Sequence, residues 1–414
     1  MDHATFCAPD LNTFCLLDRL GLVVTGQQVH DGHSLLRCRV LEPDDWCHDC
    51  GAQGVARDTV VRPLTHVPLS WWPTVLQVRV RRYRCTGCGH VWRQETTAAA
   101  APRAKLSRLA VLWALKSVVI DRLSIARVAA SLGTSWHTVN DAVLAAGRAL
   151  LIDDPTRLEG VRVLGVDEHC WRHTRHGGRF VTVIIDLTPV RDGTGPARLL
   201  DMVPDRSKLV FTTWLQAQSP VFRAGIETVA MDGFTGYQSA ATDALPDAVT
   251  VMDPFHVVAL AGDALDRCRQ RLQQQIHGHR GRTGDPLYGI RRVLRTGTEL
   301  LTDRQPERLT AVFADEAHVQ VEATWGIYQR IVTAYRTPDR TAAKAALTTV
   351  IDAISRDVPP ALTELITLGR TEAINGRLEH LRGTALGFRN LTNYITRSLL
   401  DTGGFRPRLH PLLR

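Results

Sequence analysis

Two matched Cys-x-x-Cys pairs constrain the fold of this 414-residue chain more than any other feature. Each pair, Cys47 with Cys50 and Cys85 with Cys88, is followed directly by a glycine. Two residues between cysteines let both sulfurs reach one ion, and the glycine permits the tight turn around it. A pair of unrelated buried thiols is the alternative, but the repeated spacing favours one structural Zn²⁺. Because four thiolates fill the coordination shell, a catalytic zinc is not expected.

The chain carries a formal net charge of +8 and has a sequence pI of about 9.2, so we expect it to meet polyanions such as nucleic acid. A basic soluble enzyme is the alternative that charge alone leaves open. The first residues show no basic start before an apolar run, and no stretch reaches the ~20 apolar residues of a membrane span. We therefore predict a cytoplasmic protein without a membrane partner, in which the paired cysteines bind metal rather than form disulfides.

Arginines cluster around the second cysteine pair. The alternating apolar residues of segment 75–80 predict a strand that leads into it. Such a strand would place Arg82 and Arg84 on one face and Arg79 and Arg81 on the other. We interpret this as a surface that contacts DNA phosphates, held by the zinc fold. A solvated charged edge is the alternative.

Residues 124–143 predict two short helices joined by a turn at Gly133, with Ser124 as the first cap. This pattern is typical of a DNA-binding helix-turn-helix, in which the N-terminal end of the second helix enters the major groove. An ordinary helical hairpin is the alternative. The residues predicted at that exposed end are Trp136, His137, Thr138 and Asn140.

Three short apolar runs in the middle of the chain each end in an aspartate. The runs are residues 161–166, 227–231 and 249–252, followed by Asp167, Asp232 and Asp253. In open α/β sheets, sites form at the carboxyl ends of the strands. Any one such aspartate is ordinarily a turn or a helix cap, but three together can hold Mg²⁺ or Mn²⁺, which bind carboxylate oxygens. Two such ions would activate the attacking oxygen of a phosphodiester reaction and stabilise the leaving one.

The order of motifs resembles one family. After the cysteine pairs and the helix-turn-helix, the chain shows GVDEH, MDGFTGYQSA, DPFHVV and TEAINGRLEHLRGTALGFRNLTNYITR. In this order they resemble the ISL-three family of bacterial insertion-sequence transposases, over residues 40 to about 405. The resemblance implies a ribonuclease-H-like catalytic core with a helical insertion before its last carboxylate.

The resemblance also implies the site residues. It assigns the catalytic and metal-binding carboxylates to Asp167, Asp232 and Glu372. Family members often have Glu-Gly-Thr-Asn where this chain has Glu372-Ala-Ile-Asn, and Glu379, two helical turns further along, is the rival third carboxylate. In the DPFHVV motif, Asp253 with His256 is either a further group near the metals or a helix cap. Arg389 would contact DNA phosphate or pair with a carboxylate.

The expected fold class is α/β and multidomain. The expected segments are a zinc-binding β module at 1–97, a helix-turn-helix domain at 104–150, the first part of a ribonuclease-H-like domain at 160–256, a helical insertion at 257–365 and the C-terminal part of the catalytic domain at 366–405. The sequence TTAAAAPRAK at 96–105 is expected to be a linker.

We therefore expect a DNA transposase of the bacterial cytoplasm and nucleoid that binds terminal inverted repeats and cuts and joins DNA. Its partners would be double-stranded DNA, both transposon ends and target, and a second copy of the chain in a synaptic complex of two or more. A zinc and helix-turn-helix regulator without catalysis is one alternative, and a related metal-dependent nuclease is another. A recombinase with a covalent nucleophile at Tyr237 or Ser239 is not excluded by inspection.

Overall fold

The computed structural model describes residues 9–69, 71–172, 178–232, 234–252, 254–279, 281–357 and 390–411, which fall into two compact units. The first unit contains the described residues up to Glu159 and those from Asn390 onward. The second unit begins at Gly160. Each unit has its own five-stranded sheet, and helices accompany both, so the prediction of a mixed α/β chain is confirmed.

The first unit is built on a sheet with the order β1-β2-β4-β3 and with β5 paired to β4. The β2–β4 pair is parallel and the others are antiparallel. Along β4 the even-numbered residues from Thr74 to Val80 are buried, because they face a core that includes Leu64 and Leu76. The strands are β1 Leu22–His30, β2 His33–Val40, β3 Gly54–Leu69, β4 Trp72–Cys85 and β5 Val91–Arg93.

Helices follow the sheet without a flexible connection. The segment predicted as a linker is packed, since Ala99 and Ala100 are buried in the same core as the sheet residues. Small side chains allow this close approach, so the zinc module and the helices expected at 104–150 form one unit. The helices are α1 Leu11–Phe14, α2 Arg108–Val119, α3 Ile125–Leu132 and α4 Trp136–Gly147.

The second unit contains a sheet with the order β10-β9-β6-β7-β8. Strands β6, β7 and β8 are antiparallel neighbours, whereas β9 and β10 run parallel to β6. The carboxyl ends of β6, β9 and β10 therefore lie at one edge. The strands are β6 Val163–Cys170, β7 Phe180–Asp186, β8 Arg198–Pro204, β9 Thr228–Met231 and β10 Val249–Met252. The helices among them are α5 Thr188–Arg191, α6 Lys208–Ala217, α7 Pro220–Gly225 and α8 Thr235–Ala244.

A helical region follows β10. Its long helix begins directly after the sheet edge, and its core includes Leu265, Leu287 and Ile331. The described part of the expected helical insertion at 257–365 consists of helices, turns and loops. The helices are α9 Pro254–His277, α10 Arg291–Leu294, α11 Arg304–Phe313, α12 Val319–Arg336 and α13 Arg340–Asp357.

The C-terminal helices, α14 Leu391–Thr402 and α15 Arg406–Leu409, return to the first unit. Leu400 packs so closely on Gly147 that a Cβ atom there would lie 2.7 Å from its Cδ2 atom. Arg148 donates a hydrogen bond of 2.8 Å to the Thr396 hydroxyl. We expected residues 366–405 to belong to the catalytic domain. The described part of this segment instead lies in the first unit, where α14 covers the last turn of α4. No helix within the described ranges is long and apolar enough to cross a bilayer.

Candidate active site and cysteine cluster

Strand pairing brings two of the predicted carboxylates together. In the parallel pair β6–β9, Val166 lies opposite Met231, and the next residues are Asp167 and Asp232. The sequence pattern predicts that Asp167 follows the end of its strand. It lies inside β6 instead, because β7 continues to pair beyond this point and Val183 lies opposite Asp167. Asp167 is buried and Asp232 is partly buried.

His256 joins these carboxylates from the first turn of α9. Strand β10 is parallel to β9 with Met252 opposite Met231, so the helix that follows β10 starts at the same edge of the sheet. One ligand atom each from Asp167, Asp232 and His256 lie within 4.8 Å of one another. The sequence alone leaves the role of His256 open. Its position within a turn of the strand end was the signal that could have placed it.

Both aspartates also accept local backbone hydrogen bonds. The amide of Glu168 donates to Asp167 Oδ1 at 2.7 Å, and the amide of Phe234 donates to Asp232 Oδ1 at 3.0 Å, just before α8 begins. The turn role expected of such aspartates is therefore present at Asp232, whereas Asp167 lies inside β6 and α8 starts after Phe234 without a side-chain cap. These local hydrogen bonds do not account for the approach of two carboxylates and an imidazole, which a cation would stabilise by offsetting the repulsion between like charges.

A second charged pair lies beside this cluster. Arg206 contacts both carboxylate oxygens of Glu168 at 2.5 Å. Its guanidinium lies over the rings of Phe180 and Phe234, with 5.6 Å and 5.1 Å to the centroids. Burial raises the pKa of Glu168, Arg206 lowers it and the nearby Asp232 raises it. Sequence reasoning missed this pair, since 38 residues separate its members.

Tyr237 is fully buried on α8, close to the carboxylates. Its hydroxyl lies 3.0 Å from the hydroxyl of Thr182. Burial raises the pKa of Tyr237, and the negative charges of Asp232, Glu168 and Asp167 raise it further. A phenol that resists ionisation is a poor nucleophile. This argues against a covalent recombinase that uses Tyr237 as its nucleophile.

The four predicted cysteines form one cluster in the first unit. The Cys47 and Cys88 sulfurs lie 3.7 Å apart, and those of Cys50 and Cys85 lie 3.4 Å apart. Four sulfurs around a zinc at ~2.3 Å would be about 3.8 Å from one another, so the spacing fits a tetrahedral ion. The amides of Cys88 and Gly87 donate to Cys85 Sγ at 3.3 Å and 3.2 Å, which lowers the pKa of that thiol to about 6. This cluster could bind zinc.

The surface predicted for α4 is only partly present. Trp136 and His137 are exposed, and their rings meet edge to face at 5.3 Å. The Thr138 hydroxyl lies 2.9 Å from the hydroxyl of Ser135, which caps the helix. Asn140 is only 4% exposed, contrary to expectation. The buried face of α4 includes Val139, Asn140 and Val143. Asn140 is buried because the packed face of a helix is wider than a single row of residues.

The two arginines predicted to contact phosphate differ. Arg82 forms a two-pronged ion pair with Asp58, which lies directly opposite it on β3. Arg84 is exposed. Arg82 is therefore already engaged within the protein, and Arg84 presents its charge to solvent.

Four residues singled out in the sequence lie outside the described residues. They are Asp253, Glu372, Glu379 and Arg389.

Comparison with known proteins identifies the family of the chain. The family model for ISL3 (ISL-three) DDE transposases, described as a transposase, matches residues 164–368 and 360–398, more than half of the chain. The transposase of insertion sequence element IS1001 from Bordetella parapertussis is 29% identical over 65% of this chain. The transposase of element IS1557 from Mycobacterium tuberculosis is 25% identical over 66% of this chain. The matched part spans 62% of the Bordetella relative and 67% of the Mycobacterium one. The chain belongs to the ISL3 family of DDE transposases.

Proposed function

We propose that this chain binds the terminal inverted repeats of an insertion sequence and cuts and joins DNA strands at a divalent-metal site. The observation that carries the proposal is the meeting of Asp167, Asp232 and His256 at the carboxyl edge of the second sheet. Glu372 is the proposed third carboxylate, and it comes from the family resemblance alone. Because two transposon ends must be held together, the proposal includes at least two copies of the chain.

The order of the second sheet supports a ribonuclease-H-like catalytic core. Three antiparallel strands, β6 to β8, form one side, and β9 and β10 extend the sheet in parallel from β6. Asp167 lies in β6 and Asp232 directly follows the neighbouring strand β9. The pairing of these two strands therefore brings the first two proposed ligands together. A rigid sheet holds them closer to a fixed geometry than loops would.

The donor set fits a hard divalent cation with some tolerance for softer ones. Carboxylates suit Mg²⁺ and Mn²⁺, and an imidazole favours Mn²⁺ over Mg²⁺. Bound Mg²⁺ or Mn²⁺ would stabilise the attacking and leaving oxygens of an in-line phosphodiester displacement. Asp167, inside β6, and Asp232, directly after β9, would hold the cation. The ion pair with Arg206 holds the Glu168 carboxylate against the guanidinium. Water would attack for cleavage and a 3′-hydroxyl for strand transfer, so no protein nucleophile is needed.

The first unit would hold the DNA end. We propose that Trp136, His137 and Thr138 at the start of α4 meet the major groove, and that Arg84 contacts phosphate. Arg82 and Arg389 were also predicted contacts. Arg82 would first have to leave Asp58, so we expect it to contribute less than Arg84. Asn140 is withdrawn from the contact set because it is buried. Zn²⁺ at the four cysteines would hold the fold that presents these side chains.

The test is a cleavage and strand-transfer assay with the full-length protein and duplexes carrying the inverted repeats that flank its gene. Asp167→Asn, Asp232→Asn and Glu372→Gln each remove a negative charge at nearly constant volume. Loss of several kcal/mol of metal-borne stabilisation should lower the cleavage rate by about 10³-fold or more. Binding to the end duplex should stay nearly unchanged.

Two controls make the result specific. Asp243→Asn changes an exposed carboxylate on α8, which pairs with Lys208, and should cleave normally. Glu379→Gln should also cleave normally. If Glu372→Gln cleaves normally and Glu379→Gln does not, Glu379 is the third carboxylate. Normal cleavage by Asp167→Asn and Asp232→Asn would refute the mechanism. Cleavage without any strand transfer by the wild type would point to a nuclease instead.

A further inference from the structure

The turn between β3 and β4 presents two tryptophans to solvent. The strands pair as far as Leu69 opposite Trp72, so the connection is only two residues long. Trp71 is 98% exposed and Trp72 is 43% exposed. Trp71 also has a positive φ of 74°, in the left-handed region.

Folding does not explain a tryptophan at this position. Two-residue hairpin turns that need positive φ strongly prefer glycine, asparagine or aspartate. A tryptophan costs roughly 1–2 kcal/mol more than glycine in that conformation. An indole that is 98% exposed gains almost no burial in return. Backbone strain that packing does not offset is a mark of a functional position.

The turn is held beside the start of α4. Pro73 packs against Gly133, the left-handed residue between α3 and α4, and a Cβ atom at Gly133 would lie 2.8 Å from the Pro73 Cβ atom. Three residues after Gly133, Trp136 is 45% exposed. Pro73, which directly follows the two tryptophans, therefore fixes the hairpin against the turn that leads into the helix end that we propose for the major groove.

The charge of the surrounding sequence favours a polyanion as the partner. Between residues 51 and 135, arginine and lysine far outnumber the acidic residues Asp58, Glu95 and Asp121. Two of these acids are already paired, Asp58 with Arg82 and Asp121 with Lys116. Duplex DNA supplies both the negative charge that this basic segment of the chain would attract and the flat bases on which an indole stacks.

We propose that Trp71 and Trp72 form an aromatic wedge that stacks on bases of the transposon-end duplex, at a step that it opens, next to the groove occupied by α4. The inference rests on the proposed function of end binding. It adds a base-stacking contact that end binding by α4 does not itself require. Apolar side chains inserted between base steps unstack and kink DNA. Stacking of an aromatic side chain on a base contributes about 1–3 kcal/mol.

The experiment uses full-length protein and end duplexes in which 2-aminopurine replaces one base at a time. Wild-type protein should change the fluorescence strongly at one or two neighbouring positions, where the stack is opened. Trp71→Gly and Trp71→Ala should remove that signal and weaken end binding by about tenfold. Trp71→Gly should also keep or raise the thermal stability of the protein, because glycine adopts the positive φ without strain. Trp46→Ala, at another exposed tryptophan of the same unit, is the matched control and should change neither.

The outcomes separate the wedge from the proposed function. Wild type that binds and cuts the ends, with Trp71→Gly indistinguishable from it, overturns the wedge alone. Wild type that shows no preference for the end duplex overturns both. If Trp71→Gly alters self-association without DNA and leaves the 2-aminopurine signal intact, the tryptophans contact a second copy of the chain and the wedge is again overturned.

Discussion

The two clusters of metal-binding side chains in this chain differ in their chemistry and in how completely they enclose an ion. The four cysteines approach one another as a closed set, with sulfur separations that suit a tetrahedron. Among the residues that the structure describes, Asp167, Asp232 and His256 form a set of three harder donors at the edge of a sheet. A closed shell of soft ligands can stabilise a fold but leaves no position for a substrate. An open set at a strand edge can admit a phosphate, so the two clusters are suited to different tasks.

Zinc removal should have the largest effect and should be confined to the first unit. Structural zinc sites in zinc-finger peptides contribute roughly 10–16 kcal/mol of apparent binding free energy, which acts as folding energy. We expect about one zinc per chain by metal analysis. Cys85→Ser should lose it and lower the unfolding temperature of the first unit, whereas omission of Mg²⁺ should leave both units folded.

Cys268→Ser is the control for this comparison, since Cys268 lies on α9 in the second unit. It should retain zinc and thermal stability. Full zinc content in Cys85→Ser would contradict the assignment of a structural zinc to the four cysteines.

His256→Gln should have an intermediate effect, and its metal dependence is the informative part. Removal of an imidazole from the site should lower cleavage by about 10–100-fold, comparable to the loss of a supporting metal-site residue. The ratio of Mn²⁺-supported to Mg²⁺-supported rates should also fall, because only oxygen donors would remain. Rates with each metal over a concentration series measure both effects.

His277→Gln, at the last residue of the same helix, is the matched control and should leave the metal ratio unchanged. An unchanged ratio in His256→Gln, with a reduced rate, would make His256 a positioning residue rather than a ligand.

Tyr237→Phe should have the smallest effect. It tests whether the reaction at Asp167, Asp232 and His256 depends on metal rather than on a tyrosine nucleophile. Removal of the hydroxyl deletes one buried hydrogen bond to Thr182, which should lower the free energy of unfolding by about 1 kcal/mol. Cleavage and strand transfer should persist within a fewfold. Loss of all activity together with a covalent DNA–protein adduct in the wild type would contradict this and restore a tyrosine nucleophile.

Features that depend on neighbouring residues could be predicted from the sequence. The cysteine spacing, the cap at Ser124 and the left-handed Gly133 all act within a few residues, and each lies where expected. The approach of Asp167 and Asp232 followed from a general rule about parallel strands, so it too could be anticipated.

Features set by distant packing could not. The Arg206–Glu168 pair depends on how β8 and the following turn return to β6. The burial of Asn140 depends on the width of the packed face of α4. The position of α14 required knowing that Leu400 would fill the space at Gly147, for which the sequence carries no local signal.

The packing of α14 on α4 has a consequence for synthesis of the protein. Arg148 and its partner Thr396 are 248 residues apart in the chain. At about 5–20 residues per second, a ribosome delivers the second roughly 12–50 s after the first. The unit that we propose for DNA binding therefore cannot complete its core until α14 has been synthesised, and a chain that terminates before α14 lacks the helix that covers α4. Such fragments would leave the side of α4 at Gly147, which Leu400 covers in the full chain, open to solvent and to proteases.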